Sequence, residues 1–204
     1  MRNSQAVDVF SCLVMLASAG MFASLIWDGN PSPHPGIHRA IGRTLGLQAK
    51  ERLTPGGRIT ILLRDTSSFR QPGADLLLEG LRRELQSGVK CTVIVHPIEV
   101  DPARAEEISS EDFVELIRKA APGDVIVSAM GPPQLNEEQR LRLGTIKPRI
   151  IAFCPRYHAE DPGIRQPIEQ GILDVALVSR LIPDSARRVD PNLLPQLYEV
   201  VSRQ

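Results

Sequence analysis

Hydrophobic and polar positions follow three successive patterns along the chain. From Val9 to Trp27 the run VFSCLVMLASAGMFASLIW carries no charge and is interrupted only by Ser, Cys and Gly. As a helix it would measure about 28 Å at ~1.5 Å per residue, close to the roughly 30 Å hydrocarbon core, and its terminal Trp suits the interface. The run predicts an N-terminal transmembrane helix over residues 9–27. A cleaved secretory signal with Ala17-Ser18-Ala19 as its small-residue site is the alternative, and the apolar run beyond that site, through Leu25 and Ile26, argues for an uncleaved anchor. Residues 28–36, DGNPSPHPG, hold three prolines and two glycines and read as a semi-stiff spacer. Ile37, Ile41 and Leu45 then recur at i, i+4 and i+8, which predicts a short amphipathic helix over 37–53, ended by Pro55-Gly56-Gly57.

From Arg58 onward, short apolar runs alternate with helical periods. Ile59-Thr60-Ile61-Leu62-Leu63 has the β-branched, unbroken character of a strand buried on both faces. Over 74–86, Leu77, Leu81 and Leu85 share one helical face. Thr92–Val95 is the second strand. Ser109-Ser110-Glu111-Asp112 offers a capping box ahead of Phe113, Leu116 and Ile117. Val125-Ile126-Val127 leads the third strand, Asn136 with Gln139 caps a third helix, and Ile150–Phe153 forms the fourth strand. A short helix within 164–171, a fifth strand over 174–178, and a last helix follow. Asp190-Pro191 would start that last helix, and Leu193, Leu194, Leu197, Tyr198 and Val201 would be its apolar face. Alternation of this kind predicts an α/β fold: a doubly wound, mostly parallel five-stranded sheet in the order 2-1-3-4-5. The expected organisation is an anchor over 1–27, a linker with a short helix over 28–57, and an α/β domain over 58–204, long enough at about 145 residues to bury its own core.

Composition narrows the function classes. Lys+Arg and Asp+Glu number 24 each, so the formal net charge is zero, and no basic excess exists to displace counterions from nucleic acid. Three cysteines make no disulfide framework, and no Cys or His pair has zinc-finger spacing. Cys91 and Cys154 fall on opposite edges and opposite ends of the predicted sheet, too far apart to bridge. His34 and His38 lack carboxylate or Cys partners nearby, so no metal or other cofactor is expected.

In such a sheet, ligands bind beyond the carboxyl ends of the strands, where the strand order reverses. Asp65, Thr66 and Ser67 leave strand one there, Gly131 leaves strand three and would let that loop approach closely, and Arg156 and Arg180 leave strands four and five. Hydroxyls, a carboxylate and two guanidiniums suit a polyol or an anion. The same Asp65-Thr66-Ser67 also reads as a turn capped by its own side chains. Neither GxGxxG nor GxxxxGK[ST] occurs. The strand-one loop carries Arg70 where a flavin site wants a glycine, and the strand-three and strand-five ends lack the Asp and Lys of a response-regulator receiver. A GDSL-type hydrolase would place Gly-Asp-Ser after strand one. Arg64-Asp65-Thr66 stands there instead, Gly131-Pro132-Pro133 lacks the Asn of the later block, and Cys154 and His158 share a loop without imposed contact. An anchored α/β hydrolase with degenerate GDSL-like motifs is therefore the alternative function.

The segments Arg58–Ser67, Gly80–Leu85, Cys91–Val95, Asp124–Ser128, Arg149–Phe153 and Gly171–Val178 resemble the opening lobe of type 1 periplasmic binding proteins, the sugar-binding and LacI-like group, over roughly residues 58–182. That family closes two hinged lobes on its ligand, and this chain has residues for one. The resemblance implies a membrane-anchored, non-enzymatic binding or interaction module for a small polar ligand. With half a cleft it would bind weakly, dimerise to make the second wall, or serve as an interaction module and accessory subunit beside a larger membrane complex. The resemblance also places the domain outside the cytoplasm.

Overall fold

A computed structural model describes residues 35–67, 71–87, 91–99, 108–132, 135–143, 147–180 and 197–203. The chain divides into two compact units, 1–33 and 34–204, and only the second falls within the described residues. The predicted span 9–27 lies outside them. Among the described residues, no helix is long and apolar enough to cross a membrane.

The unit contains helices α1 (Pro35–Arg52), α2 (Pro72–Gln86), α3 (Ser110–Lys119), α4 (Glu137–Leu143) and α5 (Pro162–Glu169). Its strands are β1 (Arg58–Arg64), β2 (Thr92–Ile98), β3 (Val125–Ser128), β4 (Arg149–Cys154), β5 (Val175–Ser179) and β6 (Tyr198–Ser202). They form one sheet in the order β2-β1-β3-β4-β5-β6, parallel throughout except for the antiparallel pair β5–β6. The 2-1-3-4-5 core of the sequence reading is therefore present, with one strand added.

Burial on both faces explains the apolar runs. Ile59, Ile61, Val125, Val127, Ile151 and Leu177 point to the face covered by α1 and α2. Leu62, Ile126, Ile150, Ala152 and Ala176 point to the face covered by α3, α4 and α5. This is the period-two alternation of a strand with two helical layers to fill. Helix starts follow the expected chemistry. Ser109 Oγ accepts from the Asp112 amide at 3.2 Å. Asn136 and Gln139 cap each other reciprocally, Gln139 N to Asn136 Oδ1 at 2.8 Å and Asn136 N to Gln139 Oε1 at 2.9 Å. Gln139 is buried, and its Nε2 donates to Ser110 Oγ and Glu111 Oε1, locking the start of α4 to the start of α3.

Two elements differ from the pattern reading. Helix α1 begins at Pro35, inside the expected spacer, and is a core element: Ile41, Leu45 and Ala49 are completely buried against the sheet. Of the last apolar segment, 198–202 is strand β6, so Tyr198 and Val201 do not lie on a helix. Asp190-Pro191, Leu193 and Leu194 lie outside the described residues. The outer edge of β5 needs backbone partners, and 198–202 supply them as an antiparallel strand. Tyr-Glu-Val-Val-Ser suits a strand. Tyr198 adds its ring to Phe153 with centroids 5.5 Å apart.

Candidate functional site

The order β2-β1-β3 reverses the direction of winding at β1, so the loops leaving β1 and β3 diverge and open a crevice. A cavity of about 160 Å³ lies there, roughly ten times the ~10–15 Å³ that holds one water. Its apolar floor is Leu63 of β1, Leu77 of α2, Ala129 and Met130 after β3, and Phe153 of β4. Its polar wall is His38, Arg64, Gln71, Arg156 and Tyr157, with Gly73 and Gly131 contributing backbone. An apolar bed with few polar groups is the usual make-up of a small-molecule site.

Each wall has a local cause. Helix α2 opens at the cavity with Pro72 in its first turn and no side-chain cap on Gln71, so its positive end abuts the space. A Cβ on Gly73 would sit 2.9 Å from the His38 ring, so the glycine lets the imidazole of α1 lie against the start of α2. Burial pulls His38 below the ordinary histidine value, which keeps the ring neutral at neutral pH. The loop after β3 is held by Ser128, whose Oγ donates to the Gly131 carbonyl at 2.8 Å and accepts from the Met130 amide at 3.3 Å. Gly131 has φ +93°, and a Cβ there would meet nothing within 4 Å. Close approach, the reason expected for Gly131, is therefore not what the position needs; the left-handed backbone is.

Gly131 and Arg156 both line this cavity, as the topology predicts. Asp65, Thr66 and Ser67 are not among its lining residues. Asp65 Oδ1 accepts from the Ser67 amide at 2.8 Å, the side-chain-capped turn that was the other reading of this loop. Arg180 is also outside the lining: its Nε lies 3.7 Å from Glu199 Oε2 of β6, and its amide donates to the Leu197 carbonyl. Gln71 and Tyr157 join the site without having been singled out, and His38, weighed above only as a metal ligand, joins it too. For His38 the signal was indirect, since the Ile37–Ile41–Leu45 stripe shows that its helix docks but not what its first turn reaches.

Of the hydrolytic groups, Cys154 lines the cavity, whereas His158 and Ser179 lie outside its lining. His158 Nδ1 is 2.9 Å from the Ser179 carbonyl, and its amide donates to Asp161 Oδ2 at 2.6 Å. Ser179 Oγ donates to the Pro155 carbonyl at 2.6 Å, so this set ties the β4 loop to the end of β5. Cys154 is completely buried and Cys91 is free, its thiol pushed up by burial. Among the described residues, no three His, Cys, Asp or Glu side chains are grouped to hold a metal ion.

No protein-family model matches the chain, and no curated protein is significantly similar to it. Solved structures are similar in fold. The XylFII molecule matches with 11% identity and a TM-score of 0.52, over 82% of this chain and 61% of that one. A sugar ABC transporter (sugar-binding protein) from Bacillus halodurans matches with 16% identity and a TM-score of 0.47, over 69% of this chain and 45% of that one. A LacI-type transcriptional regulator from Bacteroides fragilis matches with 10% identity and a TM-score of 0.49, over 70% of this chain and 47% of that one. The chain thus spans about half to three fifths of the length of these proteins. At the level of fold it resembles one lobe of a type 1 periplasmic binding protein.

Proposed function

We propose that this chain is a membrane-anchored, non-enzymatic binding module whose single lobe takes a small polar ligand at the carboxyl ends of β1, β3 and β4. The cavity at the point of reversal carries the reading: it combines an apolar floor, a guanidinium at Arg156 and a neutral imidazole at His38. Gly131 and Arg156 contact the ligand directly. The Asp65-Thr66-Ser67 loop and Arg180 meet it only if it extends beyond the cavity. A second copy of the chain, or a membrane complex to which it is an accessory subunit, supplies the opposite wall of the half-cleft.

Thermal shift against a panel of monosaccharides and small metabolites tests this reading. A stabilising compound should lose about 1.5–3 kcal/mol of binding, roughly ten- to a hundred-fold, in Arg156→Ala. The unliganded melting temperature should stay put, because Arg156 is exposed and outside the core. Binding unchanged in Arg156→Ala would remove the cavity from consideration.

Anchoring rests on the uncharged run Val9–Trp27 and is independent of the cavity. Carbonate washing should leave the full-length protein in the membrane fraction, and deletion of residues 1–28 should release it. The domain is assigned to the extracytoplasmic side. A compartment-sensitive reporter at the C-terminus that is active only in the cytoplasm would reverse that assignment.

A further inference from the structure

At the opposite end of the sheet, by the amino ends of β4 and β5, lies a second concavity of about 710 Å³. Four cations from three segments converge on it: Arg52 at the end of α1, Lys147 and Arg149 at the start of β4, and Arg203 just after β6. Asp174, before β5, is the one carboxylate among its lining residues. It is already engaged, with Oδ1 accepting from Arg149 at 2.9 Å and Oδ2 from the Ile150 amide at 2.8 Å. Arg52 has its own carboxylate in Glu51 at 3.3 Å.

Lys147 and Arg203 remain. Lys147 Nζ is buried and has no hydrogen-bond partner among the described residues. Arg203 approaches the turn after α5, where a Cβ on Gly171 would be 3.5 Å from its guanidinium. A desolvated ammonium without an acceptor is costly unless an anion joins it. Three guanidiniums and an ammonium line the space, and the two cations not already paired with a carboxylate among the described residues, Lys147 and Arg203, suit phosphate oxygens as acceptors. The volume lies in the range of small-ligand sites and well above what one phosphate fills.

We propose that this basic concavity is a second binding site, distinct from the carboxyl-end cavity, for a small ligand carrying a phosphate or diphosphate group. Lys147 is its central contact and Arg203 its second. Burial pulls the Lys147 ammonium below the ordinary lysine value, with Asp174 acting the other way and Arg149 reinforcing the fall. A bound anion would draw it back up.

The test uses the full-length chain in detergent, with pyrophosphate as one probe and glycerophosphoglycerol, a deacylated lipid headgroup, as the other. At low ionic strength, at least one probe should raise the melting temperature saturably, and the gain should shrink in high salt. Preference for pyrophosphate assigns a free phosphorylated metabolite; preference for glycerophosphoglycerol assigns a lipid headgroup. Lys147→Met should weaken binding by about tenfold or more, as expected for loss of a charge-assisted bond. Its unliganded melting temperature should hold or rise, because the apolar side chain no longer strands a charge. Arg203→Gln, at an exposed position, should weaken binding several-fold and decides the matter if Lys147→Met does not fold. No saturable stabilisation by either probe, or binding undiminished in a folded variant, would overturn the proposal.

Discussion

Replacing Gly42 by leucine is expected to unseat α1 and cost the domain about 5 kcal/mol or more. Helices α1 and α2 meet backbone to backbone. A Cβ on Gly42 would lie 2.0 Å from the Leu77 carbonyl oxygen and 2.8 Å from the Leu81 amide nitrogen. From the other side, a Cβ on Gly80 would lie 2.2 Å from the Arg39 carbonyl oxygen. One turn on, a Cβ on Gly46 would meet the Glu84 side chain at 2.9 Å. Neither backbone can yield while the helices stay docked.

Alanine at position 42 would gain up to about 1 kcal/mol of helix propensity, yet the forced separation outweighs it at about 1–3 kcal/mol or more. Leucine leaves no such compromise. Undocking would return Ile41, Leu45 and Ala49 to water, and the first two alone are worth about 1.5–3 kcal/mol each. The ion pairs Lys50–Glu84 at 2.5 Å and Arg39–Glu79 at 2.9 Å, which tie the two helices together, would be lost as well. Urea titration would show the shift in midpoint, with Leu47→Ala, on the exposed side of the same helix, as the control. Because His38 rides on α1, Gly42→Leu should also abolish ligand stabilisation at the carboxyl-end cavity. A Gly42→Leu protein as stable as the parent would show that α1 does not dock on α2.

The second large effect is expected at Asp124, which is buried at the amino end of β3 and satisfies three donors' groups at once. Its Oδ1 accepts from the Arg58 amide at 2.8 Å, and its Oδ2 from the Ala121 amide and the Arg58 guanidinium, both at 2.9 Å. These bonds pin the start of β1 to the start of β3. Asp124→Ala removes the acceptor of two backbone amides, at about 0.5–1.5 kcal/mol each, and of the Arg58 guanidinium, at about 1.5–3 kcal/mol. A total loss of about 2–5 kcal/mol is expected, with Asp124→Asn recovering only part of it.

The pH dependence follows from the same contacts. Burial pushes the Asp124 carboxyl up, but the hydrogen bonds from Ala121 and Arg58, with the Arg58 charge, outweigh burial and hold it below the ordinary aspartate value. A group with a depressed folded pKa contributes its full stability above the unfolded value, near 3.9, and loses it as pH falls through the folded one. The parent should therefore lose stability on acidification below about pH 4, and Asp124→Asn should flatten that part of the curve. Parallel acid slopes in the two proteins would refute this assignment.

Much of the architecture was legible because it depends on local period. Runs such as Ile59–Leu63 and Ile150–Phe153 fill two faces of a sheet whatever the partner, and Ser109 and Asn136 close helix starts with bonds made within four residues. The 2-1-3-4-5 order follows from handedness and short connections. Those same rules led to the end of β3, where Gly131 lines the cavity, and to the end of β4, where Arg156 does.

Three features were settled only by tertiary structure. Which segment covers a sheet face or pairs with its edge is a competition between segments far apart in sequence, so α1 became a core helix and Tyr198–Ser202, read as part of a helix, became an edge strand. The glycines at 42, 46 and 80 look like weak points in a helix until the facing backbone is in position, when they become the condition for docking. Asp65 offers the same carboxylate to a ligand or to its own Ser67 amide. Local sequence does not distinguish the two; the folded loop places that amide 2.8 Å away. Periodicity is a property of each segment and can be read from it, whereas coverage, close approach and the choice of hydrogen-bond partner depend on what the rest of the chain brings alongside.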